Sequence, residues 1–538
     1  MHSTDVLVIG GGLGGMMAAK TAVEMGVRVT LIDKARAATS GPSAFAAGDF
    51  LTWLPEEDEL DEWVNYYLEV GEGINYKDWI VRLFEINYQV IRELDQQGYH
   101  IEKNSDGSYK RRGGRGRITK CVLIPAYQLM KDLRRNILAK GVQILDRVQV
   151  VELRQNKEGE LEGVTGFNVR TGEKYHIQAK AVVLAAGGCS YRGPFFGQDV
   201  VSGEGLCLAF DAGAVLAYME YGNHFNVSLK AFDTYGQSKF MAHGGKYINA
   251  LGEDFLSNTG EGSRASGHLA VRRMVEEVRD GRGPIYLDLR GFHEQELIRK
   301  TMPNLALLLE SGNIDFYGHP NEAIPALTGT SNASSAGVLI DENAETSVKG
   351  LFAAGDNACK GLVTGACVGL SGVSLAWANA TGYLAGRNAA EFALNKPQDH
   401  AQLPATDYTG DSRLFSLRKN RGKMRPREII WELSAIMGNG FVTILKSKDR
   451  LIRAKERVEQ LAEVLNSEVS VNDYHERMNW HEARSALTTA RLTLQASIYR
   501  EETRGGHYRE DFPEKNPSLD QLLKMRQAGN NLELWYGR

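Results

Sequence analysis

Gly10-Gly11-Gly12-Leu13-Gly14-Gly15 constrains this chain more than any other stretch, because of what flanks it. Val6-Leu7-Val8-Ile9 reads as a buried parallel strand, Met16 to Met25 as a helix, and Val27 to Ile32 as a second strand closing on Asp33. A strand, a glycine turn, a helix and an acid about twenty residues on make the dinucleotide-binding fingerprint. Gly10 permits the tight turn, Gly12 lets backbone N–H groups approach a pyrophosphate, and Gly15 lets the helix pack close on the strand. The helix N-terminus offers unpaired donors and a partial positive charge to the phosphates. Asp33 would accept a ribose 2′-hydroxyl, which disfavours a 2′-phosphate.

The length, 538 residues, suits two or three domains with sizeable cores. With 63 basic and 67 acidic residues the formal net charge is −4, which gives no sign of nucleic-acid binding or of bulk attraction to an anionic membrane. The five cysteines (Cys121, Cys189, Cys207, Cys359 and Cys367) are odd in number and form no CxxC pair. That argues against a disulfide framework, a structural metal site and a resident iron–sulfur cluster. No signal peptide stands before the first strand, so a cytoplasmic, reduced setting is expected. Gly361 to Gly386 is uncharged and long enough to cross a bilayer, but its glycines and its Ser, Thr and Asn read as a buried, cofactor-facing segment.

Two further strands end on small residues: Ala179 to Leu184 before Ala185-Ala186-Gly187-Gly188, and Gly350 to Ala354 before Gly355-Asp356. Both are expected in the same sheet, where backbone and ligand come close. The nucleotide domain is therefore discontinuous, spanning 1–225 and 330–405. The excursion, 226–329, carries a helix (Ser266 to Arg279), a strand (Pro284 to Leu289) and a helix around His293 to Met302, and should cap the cofactor. Periodicity over 450–466 and 482–499 makes 410–538 a helical C-terminal domain with an extended, polar tail. The fold class is α/β with an α+β lid: a Rossmann-like domain, an inserted capping/substrate domain and a helical C-terminal domain.

In this order the motifs resemble the fumarate reductase/succinate dehydrogenase flavoprotein superfamily, which also contains L-aspartate oxidase and the alpha subunit of adenylylsulfate reductase. The matching stretches are Gly10 to Gly15 with Asp33-Lys34, Ser202-Gly203-Glu204-Gly205 with Asp211-Ala212-Gly213-Ala214, Gly281 to Asp288, Gly350 to Asp356, and Arg500 to Pro513. Ser40-Gly41-Pro42-Ser43-Ala44 and Phe232-Asp233-Thr234-Tyr235-Gly236 lean toward the adenylylsulfate reductase branch. The resemblance implies FAD, its ring between the nucleotide domain and the lid. Around it would lie Gly10, Gly12, Leu13, Gly14, Gly15, Asp33, Lys34, Ser40, Gly41, Val148, Ala185, Ala186, Gly187, Glu204, Asp211, Gly355, Asp356, Ser371, Ser374 and Leu375, with Asp356 on the ribityl chain. As electron partner it implies a ferredoxin-like iron–sulfur subunit, and as substrate a small polar or anionic molecule.

Departures from the family pattern narrow this. Dicarboxylate enzymes of the superfamily use a histidine before the last long strand, an arginine in the Gly/Ser-rich segment and a proton-donating arginine on the lid helix. Here the first position is Asn332, the third falls near Gly267 beside His268, and no arginine occurs between Arg299 and Arg387. A succinate carboxylate needs a fixed bidentate cation, so ordinary succinate or fumarate chemistry is not expected. Relatives often attach FAD through an early histidine; residues 3–99 contain none, so FAD should be bound non-covalently.

His268, with Arg264 four residues before and Arg272 four after, forms one helical stripe, read as anion-holding and proton-donating or as a solvated face. His224 lies near a substrate-histidine position but displaced by one. His507 and Arg509 read as architectural, and Cys359 and Cys367 as packing residues. The basic loop Lys110 to Lys120 is either a solvated loop or a surface for an acidic partner or an anionic substrate. The leading expectation is an FAD oxidoreductase subunit passing electrons between substrate and iron–sulfur partner. The alternatives are an adenylylsulfate reductase alpha subunit proper, an electron-relay flavoprotein without a small substrate, and a fumarate reductase or L-aspartate oxidase.

Overall fold

The computed structural model describes residues 2–114, 116–193, 197–222, 224, 226–234, 237–257, 267–332, 334–396, 414–419, 422–529 and 531–537. Its main sheet has seven strands, in the order Gln143–Asp146, Val29–Asp33, His2–Ile9, Lys174–Leu184, Leu161–Asn168 and Val148–Gln155, with Leu351–Ala353 pairing alongside Lys174–Leu184. The first four and Leu351–Ala353 run parallel, and the rest are antiparallel. Register aligns Ile9 with Ile32 and Leu184, and Leu184 with Ala353. Four strands thus stop at one level, and ligands bind in the crevice beyond such carboxyl ends. Val6, Leu7 and Val8 are fully buried, as expected of a parallel strand covered on both faces.

The first helix, Leu13–Glu24, begins three residues earlier than expected and packs against the long Val373–Asn395 helix, which takes in the second half of the uncharged segment. Among the described residues no helix is long and apolar enough to cross a membrane. The lid holds an antiparallel four-stranded sheet, ordered Asn226–Leu229, Asn321–Ala326, Ile285–Asp288 and Lys246–Ile248, with the Gly267–Arg279 helix packed on it. Its core of Val227, Leu287, Met274 and Leu305 also takes in Ile444 and Leu445 from the C-terminal region.

Helices Pro426–Met437, Lys448–Ser467 and Tyr474–Tyr499 form that region. The tail does not run out into solvent as an isolated polar extension. Leu522–Ala528 pairs with Asn531–Gly537, and the hairpin adds to Leu216–Ala217.

Candidate cofactor and active site

At the carboxyl ends of the parallel strands lies an elongated cavity of ≈ 290 Å³. Gly10, Gly12, Leu13 and Gly14 form one wall, and Asp33, Lys34, Ser40 and Gly41 continue it. Val148, Gln149, Val150, Ala185, Ala186, Gly187, Glu204, Gly355 and Asp356 also line it. Ser371, Ser374, Leu375 and Asn332 complete the lining. Two of the residues expected at the cofactor do not line it. Gly15 sits behind the turn, where a Cβ would fall 1.9 Å from the Gly10 carbonyl oxygen. Asp211 ends the Glu204–Asp211 helix and accepts from Arg484 at 2.7 Å, away from the cavity lining.

The acid after the second strand is held by backbone. Asp33 Oδ2 accepts from Gly11 N at 2.8 Å and Oδ1 from Ala35 N at 2.7 Å. Burial pushes its carboxyl above the usual range, and the two N–H groups oppose that. Lys34 pairs with Glu204 and with Glu482, the latter at 2.7 Å. Burial alone would lower its pKa, but the two carboxylates outweigh it and hold the ammonium above its normal range. On the other wall Asp356 pairs with Lys360, while its second oxygen accepts from Asn332 N at 2.7 Å. Asn332 has φ of 57°, in the left-handed region that Asn tolerates.

The cavity lining carries buried polar atoms with no protein partner among the described residues: both ends of the Gln149 amide, Ser374 Oγ and Asp49 Oδ1. Each such orphan costs about 1–3 kcal/mol unless a ligand or water satisfies it. A Cβ on Gly12 would meet only Ser43 Oγ, at 3.4 Å, so the space in front of it is left for something other than protein.

The histidines and arginines of the candidate catalytic set separate. His268 lies on the lid helix, and its Nδ1 is 3.2 Å from the Val368 carbonyl oxygen, next to the cavity-lining Gly369 and Leu370. A carbonyl only accepts, so Nδ1 carries the proton. Arg272, one turn on, donates to Glu276 at 2.8 Å and stacks 3.6 Å from the Tyr508 ring centroid, outside the cavity lining. Arg264 falls outside the described residues. His224 is buried against Thr443, Nδ1 to Oγ1 at 3.0 Å, also off the lining, and burial depresses its pKa to about 3. His507 and Arg509 sit in a buried polar network: Lys446 Nζ donates to His507 Nδ1 at 3.0 Å, and Arg509 bonds carbonyls of Ser497 and Arg500.

The basic loop turns inward. Arg111 pairs with Asp58 and Glu57, Arg112 with Asp49, and Arg117 with Glu69. Only Arg117 of these three is well exposed, at 67%. Arg111–Gly113 is a strand beside Lys120–Leu123, and Gly114 abuts Ser371. Arg115 lies outside the described residues. Asp49, Gln149 and Lys239 carry no local signal of a site, because their burial is tertiary.

A family model described as an FAD binding domain matches residues 5–374, and one described as the fumarate reductase flavoprotein C-terminus matches 431–532. The chain belongs to the fumarate reductase/succinate dehydrogenase flavoprotein superfamily. It is an FAD-dependent oxidoreductase, and FAD is its cofactor. It is similar to an uncharacterized FAD-dependent oxidoreductase of Methanocaldococcus jannaschii, 26% identical over 95% of this chain and 94% of that one. It is 27% identical to a fumarate reductase (CoM/CoB) chain of Methanothermobacter marburgensis, over 98% of each. Its fold matches a variant of the E. coli quinol fumarate reductase chain FrdA with a TM-score of 0.89 at 21% identity, covering 100% and 97%. Adenylylsulfate reductase from Archaeoglobus fulgidus gives 0.81 at 23%, covering 99% and 95%. For a flavoprotein of this superfamily the cavity fits its cofactor. The glycine turn leaves open space where a pyrophosphate would approach, and the unpartnered Gln149 and Ser374 supply polar atoms to the lining.

Proposed function

We propose that this chain is the flavoprotein subunit of a redox enzyme that passes electrons between a small polar or anionic substrate and a ferredoxin-like iron–sulfur protein. The carrying observation is the contact of His268 with the Val368 carbonyl, which ties the lid helix to the cofactor-lining segment. His268 is the group in this reading that gives or takes a substrate proton. Asn332, whose backbone clamps Asp356, supplies a neutral polar group to the same cavity. Bound FAD supplies electron-pair exchange at its ring; the protein's part is to orient it, exclude water and hold the proton.

A substrate-handling reading is favoured over a pure electron relay, because a relay needs no histidine placed beside the cofactor segment. Ser40, Gly41, Pro42 and Ser43, the stretch whose sequence leans toward the adenylylsulfate reductase branch, line the cavity. FAD is held without a covalent bond, since Ser40 to Ala47 offers no histidine, cysteine or tyrosine at the cavity wall. The five cysteines are all buried and unbridged, so electrons leave through a separate metalloprotein in a cytoplasmic complex. Purification of the native complex tests this: a co-purifying small subunit with stoichiometric iron is expected. Full turnover by the iron-free chain with its physiological carrier would overturn it.

A further inference from the structure

Asp356 stands in the cavity wall with Lys360 behind it, and the two form an ion pair. The ammonium end is dry: the Lys360 side chain is 1% exposed, whereas that of Asp356 is 15% exposed and lines the cavity. The turn that carries the carboxylate is pinned from two sides. From the Val373–Asn395 helix, Thr381 Oγ1 accepts from Gly355 N at 3.0 Å and Trp377 Nε1 donates to the Gly355 carbonyl at 3.1 Å. Beyond the strand end, Asn357 accepts from Ala186 N at 2.6 Å and donates to the Gly187 carbonyl at 2.8 Å. Asp356 itself accepts from Asn332 N at 2.7 Å, while the Ser331 hydroxyl proton goes to Gln198 Oε1 at 2.6 Å rather than to Asp356 at 3.4 Å. Among the described residues Asp356 has no other cation and Lys360 no other carboxylate.

The lining carries four carboxylates, Asp33, Asp49, Glu204 and Asp356, and among the described residues one cation, Lys34. Each carboxylate has its own counterpart: backbone N–H groups for Asp33, Arg112 for Asp49, Lys34 for Glu204 and Lys360 for Asp356. A buried ion pair is a poor source of stability, because apolar residues of similar volume often do as well. What such a pair does control is the field in the cavity. In a low-dielectric wall an uncompensated carboxylate acts at long range and repels electrons arriving on a bound flavin. Charge near the flavin is one of the levers a protein has over that cofactor's electronics.

We propose that Lys360 is a positioning residue for the redox chemistry: by neutralising Asp356 it holds the reduction potential of the flavin above the value that the acidic lining would otherwise give. Lys360 touches neither cofactor nor substrate in this assignment and acts through Asp356. The assignment rests on the reading that puts the reacting end of the cavity at Asn332, whose backbone N–H Asp356 holds.

The test measures the midpoint potential of the full FAD-loaded chain by reductive titration against reference dyes, without substrate or partner. K360M leaves Asp356 uncompensated and should lower the potential; D356N leaves Lys360 uncompensated and should raise it. An unpaired buried acid takes up a proton at low pH and an unpaired buried amine loses one at high pH. K360M is therefore read at pH 9 and D356N at pH 6, each against the wild type at the same pH. Each shift should reach roughly tenfold in the ratio of reduced to oxidised flavin at a fixed potential, about 30 mV for two electrons. The double variant K360M/D356N restores neutrality and should return close to the wild type. K349M, which breaks the surface pair of Lys349 with Glu160, is the control and should leave the potential unchanged. Should D356N not retain FAD, K360M beside K360R carries the comparison, since arginine keeps the charge and should hold the wild-type potential. Unshifted single variants, singles that shift in the same direction, or a double variant displaced as far as K360M would overturn the assignment. Failure of the wider redox reading is a different result: turnover insensitive to His268→Gln, with the potentials shifted as stated.

Discussion

The Cβ that Gly15 lacks would lie 1.9 Å from the carbonyl oxygen of Gly10, whereas the one Gly12 lacks would meet only Ser43 Oγ at 3.4 Å. Two glycines of one motif therefore do different things. Gly15 is required by the protein's own packing, whereas Gly12 leaves room in front of it that we assign to the cofactor. Gly15→Ala should cost about 3 kcal/mol of stability whether or not FAD is present, through overpacking against backbone that cannot yield. Gly12→Val should fold with a near-normal melting temperature as apoprotein and fail to retain FAD. Denaturant unfolding and flavin content, measured on both, separate the two roles; stoichiometric FAD on Gly12→Val would show that the motif does not face the cofactor.

Acid precipitation should leave the pellet colourless and release the whole flavin into the supernatant. The residues lining the cavity from Ser40 to Ala47 contain no side chain of the kind that links flavin in relatives. Flavin that stays on the denatured chain would contradict this.

Succinate oxidation with artificial dyes and fumarate reduction with reduced viologen should both be negligible. The Gly369–Gly372 wall carries no arginine, and Asn332 presents a neutral amide where a dicarboxylate enzyme has a histidine. Robust fumarate reduction would mean that another cation can substitute for the missing clamp.

His224 makes the fold acid-sensitive. Its ordinary pKa of 6.5 falls to about 3 in the buried site. Between those values the unfolded chain binds a proton that the folded chain refuses, so stability is full above 6.5 and declines as pH drops toward 3. From pH 7 to pH 5 this one residue should cost about 2 kcal/mol. His224→Asn should remove that share of the loss, read as unfolding free energies at the two pH values. Parallel pH profiles for the two proteins would refute the assignment.

The parts of this molecule governed by local pattern are legible in the sequence. Val6–Ile9 and Ala181–Leu184 are apolar runs of the kind a doubly covered parallel strand uses, and both pair as anticipated. The helix after the glycine turn begins at Leu13 rather than Met16, because glycines past the tight turn can already adopt helical backbone. The lid strands Asn226–Leu229 and Asn321–Ala326 give no clear pattern, being short and interrupted by Asn, Glu and Pro. Ala528-Gly529-Asn530-Asn531 carries a hairpin signal of the Gly-Asn type, which the polar composition of the tail obscures. Lys239 has no local signal at all: a lysine next to Gln237 and Ser238 reads as solvated, and only tertiary packing buries it. The basic loop misleads for the same reason. Its partners Asp49, Asp58 and Glu69 lie roughly fifty to sixty residues away, beyond any window that spacing rules inspect.

The lysine that follows the fingerprint acid finds its buried partner Glu482 only 448 positions later. A ribosome that has made the entire glycine turn, both flanking strands and the first helix has still produced an ammonium with nothing at its side from the C-terminal helix. Long-range closures of this kind form late and slowly. The nucleotide pocket is therefore among the first pieces translated and among the last completed, and a nascent chain halted before residue 482 would present a cofactor site with one wall unanchored.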